Sequence, residues 1–233
     1  MTPDPSERVA AALKDAPLFE SLTSAQVETL AHSMEGRHYE RGEVILTQGD
    51  APGGLHVVCE GAVKISIAND EGKETLLAIF RPWDLFGEIA ALDGQARSAS
   101  VTAIEPAATA FLSRSQLLAF VRSNPDFALS LIQTLASRLR RVDERLEDAY
   151  FLDLDTRFAR LLLNLADEQG QPAPGGIAIR LPLTQTELAS MIGATRVSAN
   201  RLLGAYQDAG LIRLERRALV IRDSDGLLKR AGR

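Results

Sequence analysis

The chain has 233 residues, 45% of them hydrophobic and 24% charged, enough for two modest domains with their own cores and too apolar for disorder to be expected. One cysteine, Cys59, excludes an intrachain disulfide and an iron–sulfur cluster, and the three histidines (His32, His38, His56) have no metal-ligand spacing. The net charge of −5 argues against nucleic acid as a partner until the chain is divided: residues 1–155 hold 14 Lys/Arg against 24 Asp/Glu, whereas residues 156–233 hold 12 against 7.

A basic C-terminal third on an acidic body is the asymmetry of a sensor joined to a nucleic-acid reader. The sequence has neither an apolar run of membrane length nor a signal-peptide pattern, so a reducing cytoplasm is the expected location. No P-loop, Ser/His/Asp or Cys/His set suggests catalysis, and no enzyme activity is expected.

Residues 6–34 read as short amphipathic helices, with Leu18, Phe19 and Leu22 around a turn before Thr23. From about Tyr39 to Leu112 short apolar runs alternate with glycine-bearing turns, the pattern of a compact antiparallel roll or barrel. Cys59 lies in one of these runs and is expected to be a small buried side chain.

Within that region Phe86-Gly87-Glu88-Ile89-Ala90 is followed by Arg97-Ser98. Gly87 allows backbone N–H groups close to an anion, Arg97 offers a bidentate fork and Ser98 a hydroxyl. Glu88 would repel a phosphate, so its partner is a sugar hydroxyl. Together these groups suit one cyclic sugar phosphate.

Pro125 opens a long helix to about Tyr150. Its apolar residues Ala128, Ile132, Leu135, Leu139, Val142, Leu146 and Ala149 recur at alternating steps of four and three, a heptad seam that predicts pairing with a second copy of the chain. Asp153 is placed to cap the next helix, which carries Phe158, Leu161, Leu162 and Leu165, and the stretch Gly170–Gly176 reads as a loop.

Thr184-Gln185-Thr186-Glu187 is a capping-box signature for a short helix through Ile192. After Gly193-Ala194, Thr195 caps a second helix presenting Arg196, Ser198, Asn200 and Arg201, the pattern of a helix-turn-helix. The segment from Leu211 to Ile221 predicts a β-hairpin wing with Arg216 and Arg217 at its tip, facing phosphates.

On the Phe86–Ser98 cassette and the helix-turn-helix that follows, the chain resembles the regulator superfamily of the cyclic AMP receptor protein and the fumarate-nitrate regulator. The resemblance covers nearly the whole chain. It implies an α+β architecture: a cyclic-nucleotide-binding β-roll (jelly-roll-like) over 1–124, a dimerisation helix and hinge over 125–152, and a winged helix-turn-helix over 153–233.

It also implies a homodimer that reads a palindromic DNA operator, meets RNA polymerase and is gated by a cyclic nucleotide, cyclic AMP first. A constitutive regulator, or one gated by cyclic GMP, cyclic di-GMP or another effector, is the alternative. Carried over by position, the effector residues are Leu77, Ala78, Phe86, Gly87, Glu88, Ile89, Ala90, Arg97, Ser98 and Arg138, the last pairing with Glu88. Val142 and Asp143 stand where the cyclic AMP receptor has two hydroxyl residues that meet the base.

The DNA-contacting residues are Thr184, Thr195, Arg196, Val197, Ser198, Asn200, Arg201, Arg216 and Arg217. Val197 occupies a position where many members place a glutamate. A valine cannot accept a hydrogen bond from cytosine, so the family's usual half-site is not implied and an apolar base contact replaces it.

Overall fold

The computed structural model describes residues 13, 16–72, 74–180, 184–215 and 218–232. It divides into two compact units, 1–140 and 141–233, with the division inside one long helix.

The first unit is built on eight strands: β1 (Glu35–Tyr39), β2 (Val44–Leu46), β3 (Gly54–Glu60), β4 (Val63–Ala68), β5 (Glu74–Phe80), β6 (Leu85–Phe86), β7 (Ser100–Ala103) and β8 (Ala107–Ser113). They form two four-stranded sheets, β1-β8-β3-β6 and β2-β7-β4-β5, with antiparallel pairing throughout. Between the sheets lies an apolar interior of Val58, Val63, Ile65, Phe86, Val101, Ala103 and Ala107. This is the expected antiparallel roll.

A second cluster covers the other face of the first sheet. Leu55, Val57, Ala110 and Leu112 from β3 and β8 pack with Val27 and Leu30 of α1 (Ser24–Ser33), Leu117 of α3 (Arg114–Ser123), and Phe127 and Leu131 of α4 (Pro125–Phe151). Helix α2 (Glu88–Asp93) connects β6 to the cassette arginine. Strand β3 is therefore buried on both faces, which is why its sequence shows no polar alternation. Cys59 sits at its end, partly buried against the helical cluster, and burial pushes its thiol up to about 11.

Local chemistry sets the element boundaries. Reciprocal capping boxes start α1 (Thr23 with Gln26) and α3 (Ser113 with Gln116). Between β5 and β6 the chain turns through Arg81–Asp84, closed by the Asp84 amide on the Arg81 carbonyl at 3.0 Å. Trp83 in this turn has φ +81, a left-handed conformation rare for a bulky residue, held by its amide on the Val58 carbonyl at 2.9 Å. Its ring packs against the helical cluster.

The second unit contains the end of α4, then α5 (Leu154–Gln169), β9 (Gln171–Ala173), β10 (Gly176–Arg180), α6 (Gln185–Met191), α7 (Arg196–Asp208), β11 (Ile212–Glu215), β12 (Ala218–Ile221) and α8 (Ser224–Arg230). One sheet, ordered β11-β12-β10-β9, packs with the helices around Phe158, Leu162, Ile179, Leu188, Leu203, Tyr206, Leu219 and Leu227.

Asp153 caps α5 by accepting from the Thr156 amide at 2.8 Å, as its position predicts. The expected loop over residues 170–176 is corrected: Gln171–Ala173 and Gly176–Arg180 pair as antiparallel strands around Pro174-Gly175. Pro172 is tolerated because β9 is an edge strand, where a missing N–H costs no ladder bond.

Candidate functional site: a buried arginine cassette and a winged reader

The cassette is assembled where β6 runs into α2. Phe86 is buried in the roll interior, and its ring stacks on His56 from the adjacent β3, with centroids 4.8 Å apart and planes within 2°. His56 also meets Phe111 at 4.9 Å, and its Nδ1 lies 3.0 Å from the Thr109 hydroxyl. Burial, reinforced by the charges of Arg37 and Arg97, pushes the imidazole down to about 3. The cassette thus rests on a neutral aromatic stack.

Gly87 is the N-cap of α2, with φ +81. A Cβ there would come within 2.9 Å of the Gly54 carbonyl oxygen and 2.8 Å of the Arg97 guanidinium, so shape and backbone conformation both require glycine. Arg97 is 5% exposed, and its Nη1 donates to the Gly87 carbonyl at 2.8 Å. Burial lowers its pKa, opposed by the nearby charges of Glu88 and Asp50. No ion pair holds Arg97 among the described residues.

Glu88, in the first turn of α2, is 3% exposed, and its Oε1 is 2.6 Å from Arg138 Nη1 on α4. Arg138 Nη2 donates to the Leu85 carbonyl at 2.6 Å, and the guanidinium lies 4.6 Å from the Phe80 ring centre. Residues 50 positions apart in sequence therefore meet as a satisfied pair.

Ala90 is buried, Ile89 and Ser98 are exposed, and Leu77 and Ala78 on β5 pack partly buried against the roll interior. Beside Ser98 opens a cleft of about 450 Å³, also lined by Gln48, Ile67, Ala68, Asn69 and Thr75. Val142 and Asp143 are exposed on the part of α4 that belongs to the second unit, Val142 one helical turn beyond Arg138.

The heptad residues of α4 are largely uncovered: Ile132 is 61% exposed, Leu139 61%, Val142 58% and Leu146 55%. Phe127 and Leu131, on another face, anchor the helix to its own roll.

In the second unit the capping box forms as the sequence predicts. Thr184 accepts from the Glu187 amide at 3.2 Å, while the Glu187 carboxylate receives the Thr184 amide and hydroxyl. Thr195 caps α7 by accepting from the Ser198 amide at 3.2 Å, and the two hydroxyls lie 3.0 Å apart. Helices α6 and α7 form the expected helix-turn-helix around Gly193-Ala194.

Arg196, Val197 and Arg201 are exposed on α7, while Ala199, Leu203 and Tyr206 face the core. Asn200 is only partly exposed, and its Oδ1 is buried with no hydrogen-bond partner among the described residues. Strands β11 and β12 form the predicted wing hairpin, with Glu215 opposite Ala218. Arg216 and Arg217 lie outside the described residues.

Besides the β9–β10 pair, three helices escaped the sequence reading: the cassette helix α2, helix α3 before Pro125, and α8 near the C-terminus. Helix α8 is fastened by Arg230, which pairs with Asp155 at 3.1 Å and lies 4.9 Å from the Tyr206 ring centre. A signal for α8 was present in Asp223, three residues before Gly226, whose amide it accepts at 2.8 Å. Among the described residues, no group of three or more His, Cys, Asp or Glu could hold a metal, and no helix is long and apolar enough to cross a membrane.

A nucleotide-type roll followed by a winged reader is the architecture of a ligand-responsive transcription regulator. Comparison with known proteins agrees: residues 36–124 match the cyclic nucleotide-binding domain model, and residues 156–230 the Crp-like helix-turn-helix domain. The CRP-like cAMP-activated global transcriptional regulator of Mycobacterium tuberculosis is 32% identical over 219 residues, covering 94% of this chain and 98% of that protein.

The cyclic AMP receptor protein of Thermus thermophilus is 32% identical over 212 residues, covering 91% and 95%. The structure of the c-di-GMP responsive regulator CLP of Xanthomonas campestris shares the fold at TM-score 0.75 and 23% identity, covering 86% of this chain and 100% of that one. The chain belongs to the CRP/FNR superfamily. It is a DNA-binding transcription regulator with a cyclic nucleotide-binding domain, not an enzyme.

Proposed function

We propose that the protein is a homodimeric regulator whose grip on a palindromic operator is set by a cyclic nucleotide, cyclic AMP first, bound through Arg97 and Glu88. The reading is carried by Arg97, a buried guanidinium hydrogen-bonded to the neutral Gly87 carbonyl and flanked by a left-handed glycine. A cation withdrawn from water is costly unless an anion or a set of acceptors compensates it, and a cyclic phosphate supplies both. Glu88, oriented by Arg138, offers its remaining carboxylate lone pairs to the ribose hydroxyl. Ser98 adds a hydroxyl donor, and Leu77 and Ala78 line the sugar and base side.

The exposed heptad of α4 supports pairing with a second copy, because a narrow apolar stripe on a charged helix is stable in water only when covered. In this reading nucleotide binding favours one register of the paired helices, and that register spaces the two α7 helices for half-sites about 34 Å apart. Thr184, Thr195, Ser198, Asn200, Arg216 and Arg217 stand as proposed DNA-contacting residues beside the exposed Arg196, Val197 and Arg201. RNA polymerase is the partner that a bound regulator of this kind would meet, in the cytoplasm.

Calorimetric titration tests the reading. Wild type takes up cyclic AMP, and Arg97→Gln loses at least tenfold in affinity, a charged hydrogen bond being worth roughly 1.5–3 kcal/mol. Undiminished binding by the variant would refute the assignment. Titrations with cyclic GMP and cyclic di-GMP decide among effectors, and a mobility shift unaffected by any of them would identify a constitutive regulator.

A further inference from the structure

The end of α4, from Arg141 onward, belongs to the second unit, yet among the described residues it lends that unit's core no apolar side chain. Val142, Leu146, Tyr150 and Phe151 are 58%, 55%, 78% and 81% exposed, and of residues 141–151 only Asp148 is partly buried. Helices joined by a connection as short as Leu152-Asp153 ordinarily interlock apolar ridges. Here charged side chains take that place.

Arg141, Arg145 and Asp148 stand at i, i+4 and i+7, on one face of α4 beside the heptad stripe. Helix α5 meets them with Arg160 and Glu168. Asp148 Oδ1 lies 2.6 Å from Arg160 Nη1, with the two side chains 21% and 26% exposed. Glu168 Oε1 lies 3.9 Å from Arg141 Nη1, and its charge also acts on Arg145. Arg160 is aimed from behind, because its Nε donates to the carbonyl of Ala231, the C-cap of α8, at 3.1 Å. Its guanidinium is thus fixed to the reader at one edge and grips α4 with the other.

A buried apolar contact resists separation, whereas a partly exposed ion pair lets go at little cost and is weakened by salt. From the charged contacts and the lack of apolar ones we infer that the junction of α4 and α5 is an ionic latch, with Arg160 as its positioning residue. Closed, it makes the reader follow α4. Open, it leaves α5 free to turn about Leu152-Asp153. The direction of α5 passes into α7 through the Tyr206 hydroxyl, which donates to the Asp155 carbonyl at 2.9 Å. The inference rests on the proposed nucleotide control of DNA binding, whose signal has to cross this junction.

The test uses the full chain and a duplex enriched from a randomised library in the presence or the absence of cyclic AMP. Fluorescence anisotropy gives the DNA affinity with and without the nucleotide, and the ratio of the two is the readout. A change of net charge alters both affinities alike and cancels in that ratio. Asp148→Arg and Arg160→Glu are each expected to melt as wild type does and to keep the calorimetric affinity for cyclic AMP. Each loses about fivefold in the ratio, the low end of coupling between distant sites.

The exchanged pair, Asp148→Arg with Arg160→Glu, brings the ratio back to within about twofold of wild type, because the attraction is restored in reverse. The near-isosteric Asp148→Asn loses about twofold, as one partly exposed pair is worth little. Glu147→Gln, on another face of α4, leaves the ratio unchanged. An unchanged ratio in both single reversals overturns the latch. So does a loss that the exchange fails to restore, which would assign both residues to the folding of the second unit. A wild type indifferent to cyclic AMP, cyclic GMP and cyclic di-GMP overturns nucleotide control itself, and the inference with it.

Discussion

His56 carries a testable consequence of where the cassette rests. Its imidazole is 1% exposed, stacked on Phe86 and held near a pKa of about 3, whereas an unfolded histidine titrates near 6.5. A depressed histidine leaves the unfolded state binding more protons below pH 6.5. The His56 contribution is therefore fully present above pH 6.5 and is lost as the pH falls from there towards 3.

Acidification from pH 7 to pH 5 is expected to cost about 2 kcal/mol of stability in the first unit, read from urea midpoints. His56→Gln should flatten that limb. Asp153 and Glu35, whose carboxyl pKa values are lowered by a helix cap and by Arg37, act below this window and will not mask it.

At the same scale, the groups of the cassette were legible because Gly87, Glu88, Arg97 and Ser98 lie within a dozen positions. The Glu88–Arg138 pair was legible only by resemblance, since nothing local links residues 50 apart. The His56 stack was not legible. Strand β3 is covered on both sides, so no alternation reveals which sheet face a given residue joins. The inward turn of the Asn200 carboxamide oxygen was hidden for a similar reason: helical periodicity places it beside Arg196, and only packing decides where its oxygen goes.

Among the elements, α4 divides its work between two faces. Phe127 and Leu131 fix it to its own roll, while Ile132, Leu139, Val142 and Leu146 stay exposed, the face that the proposed pairing would cover. Each such side chain contributes roughly 1.5–3 kcal/mol when fully buried. Leu139→Lys should therefore convert a dimer to a monomer in sedimentation experiments, with the far-ultraviolet spectrum unchanged. Sedimentation of the variant as a dimer would assign the interface elsewhere.

Helix α7 allows a complementary measurement. Gly204→Ala adds a methyl group to open space in a right-handed helical conformation, and should stabilise the second unit by about 0.5–1 kcal/mol. A decrease would mean that the backbone there is not what the geometry indicates.

The Thr184–Glu187 box and the Asp153 cap were read from local signals, whereas the equally local Ser113–Gln116 box of α3 and the Asp223 cap of α8 were passed over. The β9–β10 pair was missed because two prolines and three glycines within residues 170–176 look like a loop. An edge strand accepts such a composition, and strand order is a tertiary property. Helix α2 was concealed by the chemistry of its own cassette, whose six helical residues read as a turn between functional groups.

For the molecule as a whole, the division of charge and the division into compact units do not coincide: residues 1–140 hold 12 Lys/Arg against 18 Asp/Glu and residues 141–233 hold 14 against 13, so the basic excess belongs only to the part of the second unit beyond residue 155. The charge division follows the sequence directly, because net charge needs no packing to be read. The boundary between units does not. It falls between Arg140 and Arg141 within one uninterrupted helix, where neither a loop nor a change of composition marks it.

The turn at Trp83 gives the experimenter a private view of one of these units. It is the only tryptophan in the chain, and it belongs to the roll. Indole emission therefore monitors the sensing half alone, while peptide circular dichroism averages over both halves. In a denaturant series, a cyclic nucleotide that binds the roll should move the fluorescence midpoint upward by mass action, so a fluorimeter suffices to rank candidate effectors without a label, a mutation or DNA.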